Sequence, residues 1–141
     1  MPIEYKVFGG GHLIHAIAHA PVTAEEFVEY EMQHAIDDRI NRPVSELLEV
    51  QPGALSGITK RDVSTILERR QTIERDPKRH RCGIVVSYGD NHGWDIAKFY
   101  EGMVVLHSPE VVIIFGDLNI ARRWLGFEQY ESENSADIGD S

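Results

Sequence analysis

Ile84-Val85-Val86-Ser87-Tyr88-Gly89-Asp90-Asn91-His92-Gly93 and Val111-Val112-Ile113-Ile114-Phe115-Gly116-Asp117 are the stretches that decide the fold of this chain. Each is a short apolar run rich in β-branched residues, closed by turn residues and followed by a segment with helical spacing. A strand buried on both faces reads as a continuous apolar run, which is the habit of parallel sheets covered by helices. The two runs therefore predict consecutive βα units.

Working outward, Arg81–Ser87 is the fourth strand, and Ile96, Phe99, Tyr100, Met103 and Leu106 line one side of the helix that follows it. Ser108-Pro109 stops that helix. Glu110–Phe115 is the fifth strand, Asp117 caps the last helix, and Gly126 occupies the position where a helix ends in a left-handed residue. Toward the N-terminus, Thr59 with Asp62 marks the start of a second helix, with Val63, Ile66, Leu67, Arg70 and Ile73 on one stripe and Asp76-Pro77 as its stop. Leu47–Val50 is a short third strand. Thr23 and Glu26 form a capping box before a first helix, whose stripe is Ala24, Phe27, Val28, Met32, Ala35 and Ile36 and which ends near Asp38–Asn41. Ile3–Phe8 and Leu13–Ala18 flank Gly9-Gly10-Gly11, which predicts a hairpin. The expected fold is α/β: a five-stranded mixed, mostly parallel sheet with four helices, in the order β-β-α-β-α-β-α-β-α.

Size and composition set further bounds. A chain of 141 residues is one domain by length, here residues 1–127, and needs no disulfide or metal to hold it. Its single cysteine, Cys82, falls in a predicted buried strand and reads as an inert packing residue. No apolar run approaches the ~20 residues of a membrane span, and the N-terminus lacks the pattern of a secretory signal, so the expected location is cytoplasmic. Net charge is −9, of which five charges lie in residues 128–141, an aperiodic acidic segment expected to be disordered. Eight of the fourteen Lys and Arg lie between Lys60 and Arg81. That window reads as the solvated face of one helix and its exit. A chain acidic elsewhere repels a phosphate backbone, so no nucleic-acid partner is expected.

The element order resembles the STAS superfamily, in particular the small stand-alone proteins related to the sporulation anti-sigma-factor antagonist. The residues that carry the resemblance are the Ile3–Ala20 hairpin with Pro21-Val22-Thr23-Ala24-Glu25-Glu26-Phe27, the passage from Arg81–Ser87 through Tyr88-Gly89-Asp90 into a helix, and Val111–Phe115 closing on Ala121-Arg122-Arg123-Trp124-Leu125-Gly126. The resemblance covers most of residues 3–127, on motifs of low specificity. It implies a regulatory, protein-binding domain without catalysis. It also implies a phosphoacceptor near the start of the second helix, where this chain offers Ser56 and Thr59. Leu55 stands where an acidic residue precedes the serine in the family, and capping accounts for Thr59 without a kinase.

Three constellations invite chemistry. Ser87, Asp90, Asn91, His92 and Trp94 surround the turn after the fourth strand, at the carboxyl end of the sheet where α/β proteins place ligands, and form a candidate pocket lip. A turn and an N-cap explain Gly89 and Asp90 equally well. His12, His15 and His19 are expected in the second strand. There i and i+4 lie roughly 13 Å apart, too far for one zinc at ~2.0–2.1 Å from each ligand, so no metal is expected. Pro2 alone is a weak sign of a tautomerase base. No cofactor motif is present. The leading expectation is thus a non-catalytic, STAS-like protein-binding domain that forms a homodimer or binds an unidentified protein through the start of the second helix and a sheet edge. The alternative is a carrier or sensor of a small apolar or anionic ligand near Tyr88–Trp94. An enzyme using His92 with Asp90 or Asp95 comes last.

Overall fold

The computed structural model describes residues 2–19, 21–72, 80–108 and 110–127. Ile73, the Asp76-Pro77 stop, Pro109, the 128–141 segment and part of the basic window (Arg75, Lys78, Arg79) lie outside the described residues.

The fold is α/β with a five-stranded mixed sheet and four helices. The elements are β1 (Ile3–Phe8), a 3-10 turn (Gly9–Gly11), β2 (Leu13–Ala18), α1 (Ala24–Ile36), β3 (Val44–Val50), α2 (Lys60–Arg70), β4 (His80–Val86), α3 (Asn91–His107), β5 (Val111–Phe115) and α4 (Leu118–Trp124). Strand order in the sheet equals order in the chain. β1 pairs antiparallel with β2, and β2–β5 run parallel. Crossovers of one hand that step across the sheet in one direction place their helices on one face. Accordingly α1, α2 and α3 share the face made by Ala16 and Ala18 of β2, Leu48 and Val50 of β3, Cys82, Ile84 and Val86 of β4, and Val112 and Ile114 of β5. Among the described residues no strand follows α4. This helix covers the other face, where Ala121, Leu125 and Phe127 bury Leu13 and Leu47. Gly83 permits this approach: a Cβ there would sit 3.1 Å from Leu125 and 3.3 Å from Phe115.

Several boundaries differ from the expected ones. β3 begins at Val44 instead of Leu47, taking Ser45 and Glu46 into the sheet. β4 starts at His80 and ends at Val86, one residue early at each end, and β5 starts at Val111. His12 lies in the hairpin turn, its Nδ1 donating to the Pro43 carbonyl at 2.9 Å, and β2 starts after it. α1 stops at Ile36. The expected apolar stripe of α1 is inward only in part: Val28 is buried and Phe27 packs on the core, but Met32 and Ile36 are 51% and 79% exposed, and Tyr30, Glu31 and His34 are buried instead. Leu106 of α3 likewise faces solvent at 74%. Among the described residues no helix is long and apolar enough to cross a membrane.

The hairpin is fastened to the loop after α1. Asn41 donates its backbone N–H to the Gly11 carbonyl at 2.8 Å and its side-chain amide to the Gly10 carbonyl at 2.7 Å. Gly11 has φ +92, and a Cβ on it would run into the Arg39 carbonyl oxygen. Strain and collision therefore act together, and Gly11→Ala is expected to cost roughly 2 kcal/mol or more. Urea denaturation checks this, and a loss within about 0.5 kcal/mol contradicts it.

Candidate functional site

The turn after β4 is assembled as expected, but for holding loops together. Asp90 caps α3, its Oδ1 accepting from Gly93 N at 3.0 Å, and its Oδ2 accepts from Gly53 N at 3.2 Å. His92 Nε2 donates to the Ile58 carbonyl at 2.8 Å. These two contacts tie the β4–α3 turn to the β3–α2 loop. Ser87 and Asn91 are exposed, and Trp94 lies 5.6 Å, centroid to centroid, from exposed Tyr88. None of the five predicted lip residues is on the wall of the cavity described below. Ser56 is exposed. Thr59 spends its hydroxyl on the capping box, accepting from Asp62 N at 3.1 Å while Asp62 accepts from Thr59 N at 2.9 Å. In the second strand, His15 Nε2 meets Glu49 Oε2 at 2.5 Å. His19, just past that strand, pairs with Glu4 at 3.0 Å. Among the described residues no group of three or more His, Cys, Asp or Glu is arranged to hold a metal.

The polar chemistry of the interior gathers at the opposite end of the sheet. Glu46 near the start of β3, His80 at the start of β4 and Glu110 just before β5 are all buried under the three helices. Arg70, the last residue of α2, reaches in from above, and α1 contributes Tyr30, Glu31 and His34. Glu46 accepts from Tyr30 Oη at 2.5 Å on one oxygen and from His80 Nε2 at 2.7 Å on the other. His80 Nε2 is also 3.5 Å from Glu110. Arg70 Nη2 donates to both Glu110 oxygens at 2.6 and 3.0 Å, its Nη1 donates to Tyr100 Oη at 2.7 Å, and its Nε lies 3.6 Å from Glu31. Two hydrogen-bonded sets, Tyr30–Glu46–His80 and Tyr100–Arg70–Glu110, thus meet at the His80–Glu110 ion contact.

Burial and pairing pull these groups in opposite directions. Burial alone would push the Glu46 carboxyl up, but the His80 hydrogen bond, the neighbouring His34 and His80, and the Tyr30 hydroxyl hold its pKa down at about 2. Burial lowers the pKa of His80, yet the hydrogen bond to Glu46 and the carboxylates of Glu46, Glu110 and Glu31 raise it above its ordinary value. Burial also dominates Glu110, which is raised despite His80 and Arg70, and it pushes the Cys82 thiol well up. A thiol held protonated in an apolar wall is a poor nucleophile. His34 is 3% exposed and neither ring nitrogen has a partner. Its ring packs edge-on against Tyr30 and Tyr5, with centroids 4.0 and 4.7 Å away.

Beside this group, between the sheet and α1–α3, lies a partly open cavity of about 60 Å³. Most of its wall is apolar, with Phe27, Leu48, Ile66, Ile84, Ile96 and Ala97 among the lining residues. Its polar members are Tyr30, Glu31, Glu46, Cys82 and Tyr100. The arrangement can seat a small apolar body against a hydrogen-bonding end. The cavity wall runs from Glu46 near the start of β3 to Val50 at its end and on to Leu55 and Ile58 in the loop that follows. The usable signals in the sequence were Glu46, which precedes Leu47-Leu48 in β3, and the Glu31-x-x-His34 pair on α1.

The raised pKa of His80 fixes the sign of a pH dependence. A group whose pKa is higher in the folded state lends stability that is full below its ordinary value of 6.5 and is lost as pH rises through the folded value. Unfolding free energy from urea titrations should therefore fall as pH rises above about 6.5. In His80→Gln, whose amide still donates to Glu46 but carries no charge, that slope should flatten. An unchanged slope would mean that His80 does not titrate in this way.

Compared with family models, with curated proteins and with solved structures, the chain matches none.

Proposed function

We propose that this chain is a cytoplasmic, STAS-like binding domain without catalysis of its own, and that it takes a small, largely apolar ligand between its sheet and the α1–α3 layer. The observation that carries the reading is the cavity: an apolar wall with a few polar groups converging at one end, the usual make-up of a small-molecule site. The polar groups favour holding over turnover. Glu46 is shared between Tyr30 and His80, and Arg70 between Glu110 and Tyr100, so proton donors and acceptors are engaged with one another. At about 60 Å³ the cavity is well below the ~150 Å³ that accommodates benzene in an engineered core. The ligand is therefore only a few atoms across where it enters, or is the narrow end of a longer molecule.

Butan-1-ol is a suitable neutral probe. Titrated into the ¹⁵N-labelled full chain, it should shift the amides of Leu48, Ile84 and Ala97 saturably. Ala97→Leu, which fills the space, should abolish the shifts at a stability cost of about 1–3 kcal/mol. Weak shifts scattered over the surface without saturation would sink the reading.

A protein partner, with a second copy of this chain first among them, is the other reading. It is favoured by Val105 and Leu106 at the end of α3 and Val111 at the start of β5, which are 67%, 74% and 44% exposed on the side of an edge strand. Sedimentation equilibrium should then report a dimer that Leu106→Glu dissociates. A monomer at all concentrations removes self-association.

A further inference from the structure

The two edges of the sheet are finished differently. At β5, outward amides are taken by side chains of the same copy: Glu110 N donates to Ser108 Oγ at 3.2 Å, and Ile114 N to Glu101 at 3.1 Å. β1 forms the other edge. His19 N donates to the Pro2 carbonyl at 2.8 Å. By the alternation of an antiparallel pair, Glu4, Lys6 and Phe8 then turn their backbone groups toward β2, and Ile3, Tyr5 and Val7 turn theirs away from it. Among the described residues no hydrogen bond reaches these outward groups. Such a row is a template for one more strand.

The side chains of β1 indicate which strand fits. Ile3 and Tyr5 face the helices, so Glu4 and Lys6 lie on the opposite face of the sheet, and both are exposed. Glu4 meets His19 at 3.0 Å, and Lys6 has no partner among the described residues. Let β1 of a second copy run antiparallel to the first about a two-fold axis at Tyr5. Tyr5 then lies opposite Tyr5, Ile3 opposite Val7, and each of these pairs exchanges both N–H···O bonds. Glu4 lies opposite Lys6 on both sides of the axis, in the closely spaced pairs where opposite charges attract. Moving the axis to Glu4 or to Lys6 loses a backbone pair and sets like charges face to face. Charge and backbone pairing thus select the same register.

We propose that the partner of this edge is a second copy of the chain, joined β1 to β1 so that the two five-stranded sheets become one. The contact is isologous and closes at two copies. The axis stands perpendicular to the sheet, so both helix layers stay on one face and the two α1 helices become neighbours. α1 is the helix beside this edge: its Tyr30 and His34 pack on Tyr5, and its exposed Met32 and Ile36 are apolar groups available to that contact. No residue of β1 is on the wall of the 60 Å³ cavity, so the interface does not depend on the ligand reading. It also lies at the opposite edge from Val105, Leu106 and Val111.

Sedimentation equilibrium of the full chain at low ionic strength, where exposed charges are least screened, should report a monomer–dimer equilibrium. Lys6→Glu sets like charges together on both sides of the axis and should raise the dissociation constant about tenfold or more, as should Glu4→Lys. The double variant Glu4→Lys/Lys6→Glu restores opposite charges and should return the constant to within about threefold of the unaltered chain's. Hydrogen exchange on the ¹⁵N-labelled chain should slow at the amides of Ile3, Tyr5 and Val7 as concentration rises, and stay constant at those of Glu4 and Lys6, which already bond to β2. A double variant as weak as either single one overturns the proposal. So does a dimer that Leu106→Glu dissociates and Lys6→Glu leaves intact, and in that case the β5-side reading stands. A monomer at every concentration overturns both.

Discussion

The contact between Glu46 and His80 is the constraint around which the interior is arranged. It joins the first turns of two central parallel strands at a depth where neither side chain reaches water. A buried ion pair of this kind adds little net stability over an apolar pair of the same shape, because both partners lose their hydration. Its leverage lies in what happens when one partner is missing: an uncompensated buried charge costs about 3–5 kcal/mol. The pair therefore acts as a condition on the fold. Tyr30 must lie over β3, and Glu110 must arrive before β5 where it meets His80 and Arg70, or charges are stranded. One contact thus indexes α1, α2, β3, β4 and β5 against one another.

This condition accounts for where the empty space lies. Side chains bound to one another by directed hydrogen bonds cannot slide to fill a gap as Leu or Met would. The apolar residues above them, Leu48, Ile84 and Ile96, pack against a boundary they cannot deform. Cavities in close-packed interiors are few, and they persist where surrounding groups are held. The carboxyl-end turn, by contrast, is occupied by its own contacts: Asp90 to Gly53 and His92 to Ile58 join two loops there.

The fold was legible because its signals are local. β-branched runs, the Thr23–Glu26 and Thr59–Asp62 boxes, the Asp90 and Asp117 caps and the positive-φ Gly126 each depend on neighbours within a few residues. The errors arose where burial went against polarity. β3 was read three residues short because Ser45 and Glu46 look like solvent-facing residues, and only long-range partners make Glu46 a core residue. The stripe of α1 was turned for the same reason: Met32 and Ile36 look like core, but Glu31 and His34 occupy it. Arg70 was placed on the inward stripe of α2 by spacing alone, and that is where it lies. The cavity was not legible, since no local pattern encodes a space between three helices and a sheet.

Because neighbours in the sheet are also neighbours in the chain, among the described residues every strand pairs only with the ones just before and after it. Sequence separations between partners stay short for a mostly parallel sheet, which keeps the entropic cost of each closure low. Assembly can then advance in the direction of synthesis, each strand docking on an edge already made as it leaves the ribosome. Growth ends at β5, where Glu101 accepts the Ile114 amide at 3.1 Å and so occupies a donor that a further strand would require.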